Sequence, residues 1–156
     1  MQGKIDVFIN DESYYNCLKW EGIKVERLKD TLATTNFGIA FRKGANLELQ
    51  AQMNEFIAKI KSNGVYDELQ DKWFGNKEPT SYNDPNSLTG TNGTLKIIVC
   101  NEAKPFGYIK NNKLVGYDID FAIEFAKEYG YKLQIDGVVF TSVLNNTFLN
   151  LNLTNV

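Results

Sequence analysis

Between residues 76 and 94 the spacing of apolar residues that marks helices and strands stops, and this break constrains the fold more than any other feature of the sequence. The stretch is polar and carries Pro79, Pro85, Gly90 and Asn92-Gly93, a composition that reads as a linker or a long surface loop. Whatever the fold, its regular elements must come from the two flanks.

The first flank opens with Ile5 to Ile9, a short β-rich run that stops at Asn10-Asp11. Glu12 to Trp20 follows with Tyr14, Cys17 and Leu18 at helical spacing, so the pattern predicts strand, turn and helix. Phe37 to Phe41 predicts a second strand, closed by Arg42-Lys43-Gly44. Leu49, Met53, Phe56, Ile57 and Ile60 recur every three or four residues, the signature of an amphipathic helix, which Asn63-Gly64 ends because glycine adopts the left-handed C-terminal conformation at little cost. Tyr66, Leu69 and Trp73 repeat the spacing in a shorter helix that stops at Gly75.

The second flank starts with a buried strand, Leu95 to Val99. Phe106 to Ile109 and Leu114 to Tyr117 flank Asn111-Asn112, a pair suited to a hairpin turn. Asp118 is placed to N-cap a helix whose apolar face is Ile119, Ala122, Ile123 and Ala126 and whose end is Gly130. Tyr131 to Ile135 predicts another strand and Phe140 to Leu149 a helix, while Asn150 to Val156 shows no pattern that favours an element. Strands alternating with helices over short connections imply parallel pairing through right-handed crossovers. The expected fold class is α/β, with a mostly parallel sheet and flanking helices.

Composition narrows the chemistry. Seventeen basic and nineteen acidic side chains leave a net charge of -2, without the basic excess of a nucleic-acid binder. The absence of histidine removes the commonest general base, the usual zinc ligand and every Ser-His or Cys-His pair. Cys17 and Cys100 are too few and too far apart for a zinc site or a CxxC motif, and free, packed thiols are the expectation. Lys43-Gly44 and Asn92-Gly93-Thr94 lack the spacing of a phosphate loop. No apolar run reaches the roughly eighteen residues of a membrane span, and the opening Met1-Gln2-Gly3-Lys4-Ile5-Asp6 lacks the basic-then-apolar layout of a signal peptide. Asp11 stands where a predicted strand ends, which suits either a ligand-facing carboxylate at a sheet end or a simple helix N-cap.

Taken together, the segments resemble a family. Gly-Lys-Ile-Asp-Val-Phe-Ile-Asn-Asp (3 to 11), Asn-Phe-Gly-Ile-Ala-Phe-Arg-Lys-Gly (36 to 44) and Asn-Gly-Val-Tyr-Asp-Glu-Leu-Gln-Asp-Lys-Trp-Phe-Gly (63 to 75) resemble the closing third of a periplasmic amino-acid-binding protein of solute-binding family 3. Leu95 to Val99, Lys104-Pro105-Phe106-Gly107-Tyr108 and Leu114 to Asp120 resemble the opening third of the same family, over about 95 to 144. An ending thus precedes a beginning. The resemblance implies partial lobes of the type II periplasmic-binding, or flytrap, fold. Residues 1–75 would be the C-terminal part of one solute-binding domain, 76–94 a linker and 95–156 the N-terminal part of a second. One circularly permuted lobe is the alternative organisation.

What the resemblance implies about chemistry is capture without covalent change. The family holds the ligand ammonium with a carboxylate and backbone acceptors, its carboxylate with an arginine and backbone amides, and its side chain with aromatics. Residue by residue, Asp11 matches the ammonium-binding carboxylate, Asn101 a polar residue lining the cleft, Phe106 the aromatic after the first strand and Phe140 an aromatic at the end of the second. The carboxylate-binding arginine falls in the absent middle, and neither Arg27 nor Arg42 matches it. The implied partners are an amino acid or similar small polar ligand and an ABC permease, or alternatively the transmembrane region of a tandem flytrap sensor. No catalytic role, no cofactor, no metal and no nucleic acid are expected, and the implied location of the parent protein is periplasmic or at the cell surface.

Overall fold

The computed structural model describes residues 6–44 and 46–143. Four helices fall where apolar periodicity places them: α1 (Glu12–Trp20), α2 (Leu47–Asn63), α3 (Val65–Phe74) and α4 (Tyr117–Tyr129). Gly64, at φ 89°, both ends α2 and precedes α3, so the two helices meet at a left-handed joint that only glycine enters without strain. The strands are β1 (Thr94–Cys100), β2 (Glu102–Ala103), β3 (Gly107–Lys110), β4 (Lys113–Val115) and β5 (Lys132–Val138).

The architecture is α/β. β1 and β5 pair in parallel, from Thr94 opposite Lys132 to Cys100 opposite Val138, with α4 in the crossover between them. β2, β3 and β4 form a small antiparallel unit beside this pair. The β3–β4 turn is Asn111-Asn112, both at positive φ as the tight hairpin turn requires. One face of β1 and β5 buries Ile97, Val99, Leu133 and Ile135 against Ile119 and Ile123 of α4.

The two flanks of the polar stretch share this interior. Phe56 of α2 packs edge-on against Phe121 and Phe125 of α4, with ring centroids 5.4 and 5.3 Å apart. Trp73 of α3 is fully buried and donates its indole N–H to Asp120 Oδ2 at 2.8 Å. Asp120 also accepts from Asn83 Nδ2 (3.0 Å) and pairs with Lys72 Nζ (2.7 Å), so a buried carboxylate on α4 is matched by donors from the other flank and the connecting stretch. That stretch contains one 3₁₀ turn, Pro85–Ser87, and is bound along its length. Tyr82 stacks near Trp73, Leu88 joins the sheet-side core, and Asn92 donates through N–H to Gly130 and through Nδ2 to Tyr129.

Three expectations need correction. The predicted strands at 5–9 and 37–41 are absent among the described residues: Asp6–Ile9 and Phe37–Phe41 run as irregular chain, with Val7, Ile9 and Phe37 at 76, 77 and 70% exposure. A strand exists only with a partner to take its N–H and C=O groups, and no described strand lies beside either run. Asp118 does not cap α4. The cap is Gly116, and the first-turn amides of Tyr117 and Asp118 donate instead to the carbonyls of Pro105 (3.0 Å) and Phe106 (2.9 Å), so loop carbonyls take two of the first-turn donors that a capping carboxylate would serve. A helical turn does open at Phe140, while the remainder of the expected 140–149 helix and all of 150–156 lie outside the described residues.

Relieved of capping, Asp118 is a half-buried carboxyl, and burial pushes its pKa from 3.8 up to about 6. Folding then takes up a proton between those values, so stability is greatest below the window and falls as pH rises through it. Asp118→Asn is expected to stabilise the protein by about 1–2 kcal/mol at pH 7.5 and by nothing at pH 3.5, because the site is partly solvated. Urea unfolding at the two pH values checks this, and a gain of equal size at both contradicts it.

Candidate functional site

In an open α/β sheet, ligands meet the protein beyond the carboxyl ends of parallel strands. Here that edge is formed by the residues after Cys100 of β1 and Val138 of β5. Asn101 leaves β1 with its N–H donated to Val138 O at 2.9 Å and its Nδ2 donated to Gly137 O at 3.2 Å. The carbonyl of Gly137 needs a donor, which fixes the amide orientation and turns Oδ1 away as an acceptor. Oδ1 is buried and has no hydrogen-bond partner. Gly137 eases this approach, since a Cβ there would lie 3.3 Å from Asn101 Cβ and 3.1 Å from both Leu114 methyls, and those side chains would have to give by a few tenths of an ångström. Phe140 follows β5 at the same edge and is 64% exposed.

Phe106 reaches the site from the loop between β2 and β3. Its carbonyl is bound by the Asp118 amide, and Gly116 sits directly against that carbonyl, where a Cβ would lie 2.1 Å from the oxygen. The backbone of Phe106 is thus fixed by the start of α4. Its ring lies in an aromatic cluster: Phe74 at 5.3 Å and 62°, Tyr117 at 6.4 Å and 82°, and Phe37 at 4.7 Å and 36°.

Asp11 stands apart. It occupies the N-cap position of α1, exposed, with no hydrogen bond from its carboxylate to the helix, and no hydrogen bond, ion pair or ring contact joins it to Asn101, Phe106 or Phe140 among the described residues. α1 itself is tethered by Asn16 Nδ2 to Phe74 O (2.7 Å) and by Trp20 Nε1 to Gly75 O (3.1 Å). Cys17 is the buried residue of α1, burial pushing its thiol up to about 11 against the opposing pull of Lys104, and both cysteines are free. The structure therefore gathers Asn101 and Phe140 at one sheet edge, places Phe106 in an adjoining ring cluster, and leaves Asp11 outside.

Lys104, which opens the Lys104-Pro105-Phe106-Gly107-Tyr108 run and was assigned no site role there, is the ionic hub behind Phe106. It bonds Glu21 and Glu78 at 3.2 Å each and lies over the rings of Trp20 and Tyr108. Burial works to lower its pKa, but the two carboxylates outweigh burial and hold it above the usual lysine value. Glu78, paired also with Lys110 at 2.9 Å, is held below the ordinary glutamate value although burial opposes this. Phe37, Phe74 and Tyr117 were also missed. The Tyr117 and Phe121 spacing hints at a shared helix face, but nothing local announces the long-range contact of Phe37.

The edge is open. A concavity of about 570 Å³ lies beside the end of α1, lined by Lys19 and residues 22–26, and one of about 240 Å³ lies between α2 and α4; neither includes Asn101, Phe106 or Phe140. Among the described residues no group of three or more His, Cys, Asp or Glu is arranged to hold a metal, and no helix is long and apolar enough to cross a membrane. What this edge carries is a buried, unpaired acceptor on Asn101, the exposed ring of Phe140 and, beside them, the ring cluster around Phe106.

No solved structure matches the chain. Residues 95–147, the stretch that supplies β1 to β5, Asn101, Phe106 and Phe140, match the family model of the bacterial extracellular solute-binding proteins, family 3, so this part of the chain is similar to proteins that bind solutes.

Proposed function

We propose that the chain is part of the amino-acid-binding component of a bacterial ABC uptake system, in which Asn101, Phe106 and Phe140 form one wall of the ligand cleft and Asp11 contributes to the ammonium site of the complete protein. The observation that carries this reading is Asn101 Oδ1, a buried acceptor left unpaired at the carboxyl edge of the parallel pair. Leaving such a group unsatisfied costs about 1–3 kcal/mol, which a donor such as a ligand ammonium would recover. The captured molecule leaves chemically unchanged. The implied parent protein is periplasmic or displayed at the cell surface, and presents its closed form to a permease.

In this reading residues 1–75 correspond to the end of a solute-binding domain and 95–156 to the beginning of one, with 76–94 between them. The shared interior, Phe56 against Phe125 and Trp73 on Asp120, favours their acting as one permuted lobe rather than as separate bodies. The order of the motifs, an ending before a beginning, supports a second reading: the ligand-sensing region of a tandem flytrap signalling protein. Neighbouring permease and ATPase genes favour uptake, and a transmembrane segment followed by a signalling domain favours the sensor.

The opposing wall and the carboxylate-binding arginine of the family have no counterpart here. A bound charge without its partner costs about 3–5 kcal/mol, several hundredfold or more in affinity. Calorimetry of the full chain with the common L-amino acids is therefore expected to show no micromolar complex, while backbone amide resonances around Asn101 and Phe106 shift at millimolar ligand. A micromolar complex would show that the missing wall is not needed. Amide resonances unmoved by every amino acid would remove the capture reading.

A further inference from the structure

The ring of Phe106 is approached by its neighbours in two ways. Phe74 and Tyr117 meet it at steep angles of 62° and 82°, whereas Phe37 lies nearest, at 4.7 Å, and closest to parallel, at 36°. A tilted ring whose centroid lies this close occupies space against its neighbour's surface that another group would need. A planar or apolar group inserted between the two rings would need their centroids roughly twice as far apart, since each contact takes about 4.5 Å or more. Phe37 and a ligand side chain therefore cannot both sit on this face.

Phe37 is also cheap to move. It is 70% exposed, its segment joins no sheet among the described residues, and the stretch next meets the interior at Phe41, which packs at the edge of the α2–α4 core. Phe106, by contrast, is fixed through its carbonyl to α4. The pairing joins a displaceable ring to an anchored one.

We infer that Phe37 is an internal occupant of the aromatic ligand face, packed against Phe106 where the side chain of an incoming apolar or aromatic amino acid would lie, so that ligand entry requires Phe37 to leave. This rests on the proposed role of Phe106 in ligand capture. Its consequence is a competition within the chain: anything that removes Phe37 from Phe106 raises the apparent affinity for such a ligand, without adding a contact.

The test uses the full chain with 4-fluorophenylalanine placed at position 106 and free L-phenylalanine as the probe. Phe37→Ala is expected to shift the fluorine resonance in the absence of ligand, and to tighten the L-phenylalanine titration by about three- to tenfold, the range that loss of one aromatic pair implies. Leu32→Ala, also highly exposed, is expected to do neither. An unshifted resonance in Phe37→Ala overturns the contact. Equal affinities in wild type and Phe37→Ala overturn the occupancy and leave the capture reading standing. A fluorine signal that L-phenylalanine moves in neither protein overturns the capture reading, and the occupancy with it.

Discussion

Asp120→Ala is expected to remove about 3–5 kcal/mol of stability, enough to unfold a marginal domain of this size. The carboxylate is 2% exposed and accepts from the Trp73 indole, the Asn83 amide and the Lys72 ammonium. Alanine strands the fully buried Trp73 indole N–H and takes the counter-charge from the partly exposed Lys72, so the penalty exceeds that of one hydrogen bond even though Lys72 and Asn83 can turn to water. Asp120→Asn keeps an oxygen for Trp73 or Asn83 but loses the charge facing Lys72, so its loss is expected to be smaller. Urea unfolding followed by far-ultraviolet circular dichroism and by tryptophan fluorescence measures both. Because Trp73 comes from one side of the polar stretch and Asp120 from the other, the two signals are expected to move together. A loss under about 1 kcal/mol, or a fluorescence change with helicity intact, would show that the two sides fold separately.

Gly116→Ala is expected to be at least as damaging, with a loss above about 4 kcal/mol or failure to fold. A Cβ at this position would lie 2.1 Å from the carbonyl oxygen of Phe106 and 2.6 Å from its carbonyl carbon, and the residue sits at φ 145°, which side chains rarely adopt. The obstructing atoms are backbone, and that backbone caps α4 through the Tyr117 and Asp118 amides, so relief by movement breaks the cap and displaces Phe106. Gly44→Ala is the informative comparison. Gly44 has φ +74° but open space around it, and its replacement is expected to cost about 1 kcal/mol. Thermal melts of the two variants side by side separate collision from conformational preference; equal losses would show that the Phe106 carbonyl yields easily.

The helices were legible because each signals itself locally. Of the residues the three-to-four spacing selects, Met53, Phe56 and Ile60 of α2 and Ile119, Ala122, Ile123 and Ala126 of α4 are buried, while Leu49 and Ile57 of α2 are partly buried against the same core. The paired strands β1 and β5 were legible for a related reason, being apolar runs bounded by turns. Asp6–Ile9 and Phe37–Phe41 have the same local character and form no strand, because strand identity is a property of the pair. The Asp118 cap failed differently: a carboxylate suited to the task was present, but carbonyls of Pro105 and Phe106 arrive first from a loop that no local pattern connects to α4. At the site, Asn101 and Phe140 were singled out by the family resemblance, and both lie just beyond the ends of β1 and β5. The packing of Phe37 against Phe106 was not legible, since it depends on how an irregular segment crosses the body.

The hydroxyl of Tyr129 donates to the Gln52 carbonyl at 2.9 Å, and that of Tyr131 to Gln52 Oε1 at 3.0 Å, contacts that span 77 and 79 residues of chain. Such separations delay nucleation, because a long loop must close before any of the interior is gained. During synthesis α2 leaves the ribosome well before α4 exists, and its Phe56 and Ile60 must wait in contact with water or a chaperone until α4 follows. A pause in translation between α3 and β1 would therefore prolong the most aggregation-prone interval in the life of this chain.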